Sequence, residues 1–150
     1  MPAENQQQTS TARSTGAPPP GVPAAGLPMA ELTVAGLTVE IRRTDARAAV
    51  CTVAGDLEID TLAPAEKALT ALVGAGPPVL VVDLERVGFC DSSGLNLLLK
   101  TRLAAQAAGI DLRLAAPGPM VTRVLELTGA RAVFSVHDSV RAALAGAAGD

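Results

Sequence analysis

An α/β fold built on a mixed sheet follows from three features of the chain. Short apolar runs alternate with stretches of helical periodicity. The runs differ in kind, some alternating apolar with polar and one continuously apolar. Glycine or proline punctuates most junctions. The resulting reading is a single domain over residues 31–148 with about five strands and about four helices, preceded by a disordered tail over residues 1–30.

The tail is read from composition. Residues 1–28 hold six of the 11 prolines, a Gln6-Gln7-Gln8 run and Pro18-Pro19-Pro20. With no apolar period there, burial cannot offset the entropy of ordering. Met29-Ala30-Glu31-Leu32 reads like an ordinary chain start, so the tail and an upstream start site are both open readings.

The elements follow in order. Residues 37–42 alternate apolar and polar as a half-exposed strand, residues 44–47 make a polar turn, and residues 48–54 return as a second strand that Gly55 stops. Asp60 or Thr61 caps a helix over 62–73, ended by Gly74-Ala75-Gly76-Pro77-Pro78. The continuous run Val79-Leu80-Val81-Val82 predicts a strand buried on both faces. A helix over 92–108 is closed by Gly109, and 110–114 form a strand. Pro119 opens a helix over 119–128, which Gly129 ends. A short strand over 132–136 leads to a last helix over 140–145, capped by Asp138 or Ser139. A crossover between strands 48–54 and 79–83 makes them parallel, so the loops 55–60 and 86–94 share one edge of the sheet, where sites in open α/β sheets lie.

Composition excludes several functions. Hydrophobic residues make up 49% of the chain, yet Phe89 and Phe134 are the only aromatics, so the core must be aliphatic. A net charge of −3 with no basic patch and no stacking aromatics argues against a nucleic-acid partner. Cys51 and Cys90 form no Cys-x-x-Cys pair and sit in apolar runs, as buried free thiols would. No apolar run approaches the ~20 residues of a membrane span, and no signal-peptide pattern opens the chain. The expected setting is the cytoplasm, with no membrane, metal or cofactor.

The chemistry concentrates at Asp91-Ser92-Ser93-Gly94. Asp91 is a natural helix cap, and Ser92 then falls in the first turn, where unpaired N–H groups and the helix dipole tolerate a phosphate. Phosphorylation there would change surface charge without unfolding the domain. The same four residues also suit plain helix capping, and residue spacing alone leaves both readings open. Gly94 would keep the first turn uncrowded for an approaching kinase or partner backbone.

Val82-Asp83-Leu84, Val87, Phe89, Asp91-Ser92-Ser93-Gly94-Leu95 and Leu98-Leu99 together resemble the STAS domain of bacterial anti-sigma factor antagonists. Gly55-Asp56-Leu57-Glu58 is similar to that family's Gly-Glu-Leu-Asp turn, Val124-Leu125-Glu126-Leu127-Thr128-Gly129 to its Leu-Glu-Leu-Thr-Gly segment, and residues 134–144 to its closing stretch. The resemblance spans about residues 37–146. It implies that Ser92 is the phosphoacceptor of a serine-kinase anti-sigma factor. The unphosphorylated chain would bind that factor and free its sigma factor, and a PP2C-type phosphatase would reset the phosphorylated one. The chain would be a substrate and binding module with no catalysis of its own. Asp91, Ser93, Gly94 and Glu58 would surround the phosphosite. Glu58 stands where the family has Asp, and Asp56 where it has Glu, so charge is kept and reach exchanged.

Helical geometry at ~100° per residue predicts a core stripe of Leu95, Leu98 and Leu99, with Arg102 within it, Leu103 toward the flank and Leu97 on the opposite side. An exposed Leu97, with Asp56, Asn96 and Lys100, would form the partner surface; coverage of Leu97 by neighbouring helices is the alternative. Asp56, Glu58 and Asp60 could also be a simple solvated turn. A hydrolase would need a base near Ser92, but His137 is the only histidine and there is no Gly-x-Ser-x-Gly. No phosphate-binding glycine loop is present. The family resemblance leaves two alternatives: a scaffold or signalling module in another partner-switching circuit, and a nucleotide-binding module.

Overall fold

The computed structural model describes residues 29–34, 36–45 and 47–149; residues 1–28 of the expected tail lie outside them, and its last two, Met29 and Ala30, belong to a strand. The elements are β1 (Met29–Val34), β2 (Leu37–Asp45), β3 (Ala48–Leu57), α1 (Ala63–Ala75), β4 (Val79–Cys90), α2 (Ser92–Ala107), β5 (Asp111–Ala115), α3 (Pro119–Thr128), a 3-10 turn (Ala130–Val133), β6 (Ser135–His137) and α4 (Val140–Gly149). The six strands lie in one sheet in sequence order. β1, β2 and β3 pair antiparallel, while β3, β4, β5 and β6 run parallel.

The sheet buries side chains with period two. From one face Leu37, Val39, Ala49, Cys51, Val53, Leu80, Val82, Leu84, Leu112 and Leu114 meet α1, α2 and α3 in the main core. From the other, Ala48, Val50, Val79, Val81 and Ala115 meet α4 through Ala143. Residues 79–82 are therefore buried on both sides, as their uninterrupted apolar run requires. Where α4 does not reach, Thr38, Glu40, Arg42, Thr52, Asp83 and Arg86 line an open polar cleft.

Several expectations need correction. The strand β1 is an element ahead of the expected first strand: Ala30, Leu32 and Val34 alternate with polar residues, and Gly36, at φ +91°, makes the tight connection to β2. Gly55 does not end β3. At φ +116° it sits in an irregular stretch of the β3–β4 pairing, and a Cβ there would collide with the Gly36 carbonyl, so the strand bends and continues. β4 likewise runs to Cys90, eight residues beyond the expected four-residue run, because residues 86–90 keep pairing with 54–57. β5 stops earlier, at Ala115 opposite Asp83, so among the described residues 84–90 run on with β3 as their only neighbouring strand. The expected strand over 132–136 divides into the 3-10 turn and β6. Ser139 caps α4, its Oγ accepting the Ala142 N–H at 2.9 Å.

On α2 the buried residues are Gly94, Leu95, Leu97, Leu98, Thr101 and Ala105. Leu97 is 4% exposed, which overturns its expected place on the surface. The helix packs on the sheet and on α1 together, so its buried face is wider than a stripe built on Leu95, Leu98 and Leu99 and is centred nearer Thr101. Leu97 instead lines a groove of about 150 Å³ with Leu69, Thr70 and Val73 of α1. Leu99 is only partly buried. Arg102 reaches out to donate from Nε to the Val133 carbonyl at 2.8 Å.

Candidate functional site

The parallel pairing of β3 and β4 puts their ends side by side, Leu57 opposite Cys90. The chain leaves β3 through the turn Glu58-Ile59-Asp60 and leaves β4 through Asp91 into α2. One edge therefore holds Asp56, Glu58, Asp91, Ser92, Ser93 and Gly94.

Asp91 joins the two loops. Its backbone N–H donates to the Leu57 carbonyl at 3.0 Å. Its Oδ1 accepts the Gly94 N–H at 3.0 Å, a helix N-cap, and its Oδ2 accepts the Ile59 N–H at 3.2 Å. Thr61 fixes the turn that carries Ile59. Its hydroxyl donates to the Asp56 carbonyl at 2.5 Å and accepts the Glu58 N–H at 3.3 Å. Thr61 is buried and caps the turn, not α1, whose N-cap Leu62 makes no side-chain hydrogen bond. This role was missed because a threonine before an apolar helix reads first as that helix's cap.

Ser92 is exposed in the first turn of α2, and Ser93 is half-buried. Both hydroxyls are free of hydrogen-bond partners among the described residues. Gly94 is buried, and a Cβ on it would lie 2.5 Å from the Leu57 carbonyl and 3.0 Å from the Cys90 sulfur. The glycine thus serves close approach within the molecule, which corrects its expected role in admitting a partner's backbone. Glu58 is half-buried, and its carboxylate, like that of Asp56, makes no hydrogen bond among the described residues. Asn96 and Lys100 follow Ser92 along one exposed ridge of α2, so Lys100 lies about 12 Å from it along the helix. Lys100 pairs with Glu66 of α1 at 3.1 Å. His137 lies on β6 and bonds to Ser135 at 2.8 Å, with no bond to Ser92.

Both thiols are buried. Desolvation pushes Cys51 up to about 12 and Cys90 to about 11, with Asp83 and Asp91 adding to the respective shifts. Among the described residues no cluster of three or more His, Cys, Asp or Glu could hold a metal ion. No described helix is long and apolar enough to cross a membrane.

The family model of the STAS domain matches residues 38–143. The chain belongs to the STAS domain family. This STAS domain is 30% identical over 101 residues to the anti-sigma-F factor antagonist RsfB of Mycobacterium tuberculosis, covering 67% of this chain and 82% of that protein. It is 29% identical over 86 residues to an anti-sigma-B factor antagonist of Staphylococcus aureus, covering 57% and 80%. Among solved structures, an anti-sigma factor antagonist from Mycobacterium paratuberculosis superposes with a TM-score of 0.67 at 31% identity, over 75% of this chain and 94% of that one. The family match begins at Thr38, so β1 lies outside it.

Proposed function

We propose that this STAS domain is a cytoplasmic anti-sigma factor antagonist. Unphosphorylated, it binds a serine-kinase anti-sigma factor and releases the sigma factor held there. Phosphate on Ser92 ends that binding, and a PP2C-type phosphatase restores it. The chain acts as substrate and ligand, not as a catalyst.

The observation that carries this reading is the division of labour at the start of α2. Asp91 already caps the helix, so the Ser92 hydroxyl has no structural bond to give up and projects into solvent. A phosphate there adds about −1.5 to −2 charge at a helix N-terminus, where it is tolerated. The fold survives and the surface changes. The names of the relatives support the partner class.

Incubation with candidate serine-kinase anti-sigma factors of the source organism and ATP, followed by intact-mass analysis, tests this. A single phosphate addition that vanishes in Ser92→Ala is expected. Phosphate persisting in that variant would move the acceptor, with Ser93 next to examine.

A further inference from the structure

The polar cleft on the α4 face of the sheet encloses about 370 Å³. It lies on the side turned away from α1, α2 and α3, and what it binds is independent of the phospho-switch. Plain alternation brings Glu40 and Arg42 of β2 and Thr52 of β3 onto this face, because Val39, Ile41, Cys51 and Val53 take the other. On β4 the alternation breaks. Val82, Leu84 and Val87 all belong to the main core, so Glu85 and Arg86 both fall on the cleft face. The pairing shows the same irregularity: Thr52 stands opposite Asp83, but Ala54 stands opposite Arg86. One extra residue on β4 makes a β-bulge, a device that re-aims side chains. Regular alternation would have sent Arg86 toward the core. Asp83 fixes the bulge, its Oδ1 accepting the Glu85 N–H at 3.1 Å and its Oδ2 the Thr52 hydroxyl at 3.3 Å.

Asp83 is thus occupied, while four other charged side chains of the cleft are not. Among the described residues, Glu40, Arg42, Glu85 and Arg86 make no ion pair and no side-chain hydrogen bond. Two guanidinium groups and two free carboxylates therefore line one concavity without pairing. A simple anion would meet the carboxylates there, and a simple cation would meet both arginines. An apolar ligand would dehydrate all of them without compensation. A molecule that carries both signs satisfies both sets. Its carboxylate takes the forked donors of an arginine, and its ammonium donates to Glu40 or Glu85. The volume stands near the lower end of the ~300–1,000 Å³ usual for ligand sites, which suits a small metabolite. We propose that this cleft binds a small zwitterion of the α-amino acid or dipeptide class. Arg86 and Arg42 form its carboxylate subsite, Glu40 and Glu85 its ammonium subsite, and the β4 bulge is the feature that brings Glu85 and Arg86 in together.

The test is amide NMR of the isotope-labelled full chain titrated with L-glutamine, L-serine and glycylglycine. At least one should give saturable shifts centred on residues 38–42, 52–54 and 83–86, with half-saturation at about 0.1–10 mM. The same molecule with its amine acetylated, or with its carboxylate amidated, should bind about tenfold or more weakly, because each change removes one charge-assisted contact. Arg86→Gln and Glu40→Gln should each weaken the zwitterion by about as much. Thermal melting should show both variants folded, since Arg86 is exposed and Glu40 only half-buried. No saturable shift with any of the three zwitterions would overturn the site. Blocked forms binding within about twofold of the parent, or tighter binding of acetate, methylammonium or GTP at the same amides, would overturn the ligand class. Undiminished binding in both folded variants, or shifts centred away from the cleft, would overturn the assignment of these residues.

Discussion

The two carboxylate oxygens of Asp91 serve different parts of the chain, one capping α2 through Gly94 and the other holding Ile59 across the edge. Gly94 completes the junction by its lack of a side chain, which lets α2 start against Leu57. Beneath it lies Cys90, a thiol that stays protonated for the same reason it stays inert. This has a consequence for alkaline stability. Both cysteines have folded values raised above the ordinary 9.0, Cys51 to about 12 and Cys90 to about 11. Above about pH 9 the unfolded chain loses thiol protons that the folded chain keeps, so the folded state binds more protons and stability falls with rising pH. The contribution is whole below about pH 9 and is lost as pH climbs through 11 to 12. Urea midpoints measured from neutral to alkaline pH should be flat and then decline, and Cys51→Ala combined with Cys90→Ala should flatten the decline. A wild-type midpoint that rises above pH 9 would contradict the assignment.

At the scale of elements, α2 decides how the surface is divided. Its face toward α1 and the sheet takes Leu97, while Ser92, Asn96 and Lys100 remain on the exposed ridge. Leu97→Ala should therefore cost about 2–4 kcal/mol in chemical denaturation, the usual cost of opening a core site. Lys100→Ala should cost no more than about 0.5 kcal/mol, because its pair with Glu66 is exposed. Equal effects of the two substitutions would refute this division. Weakened partner binding in a Leu97 variant would reflect a damaged helix pair. The contrast also shows what the sequence could reveal. Helix α3 was read to the residue, because Pro119 and Gly129 mark its ends locally. The capping role of Asp91 was legible for the same reason. Leu97 was misplaced because a helix that packs on two neighbours has a wider buried face than the one stripe periodicity reports. Gly55 and Gly94 act through neighbours far along the chain, Gly36 and Leu57, so their sequence surroundings alone could not reveal those contacts. The exposure of Ile59 and Phe89 likewise depends on where the helices stop covering the sheet.

For the whole molecule, the central feature is the unequal length of adjacent strands. Among the described residues, 79–83 of β4 are flanked by β3 and β5, whereas 84–90 have only β3 beside them, with α3 packed below. Ser92 is carried at the end of that unflanked stretch. One continuous strand thus contains a firmly clamped half and a half open to separate fluctuation. Amide hydrogen exchange should resolve it into two classes, slow over 79–83 and faster over 85–89, with the break near Leu84; uniform protection along β4 would show the strand to open as one unit. Faster exchange over 85–89 would place Ser92, the proposed acceptor, next to a part of the protein that opens while the domain stays folded. Ser92 is already exposed, so such opening would change the backbone geometry a kinase meets there, and the phosphorylation rate would report it.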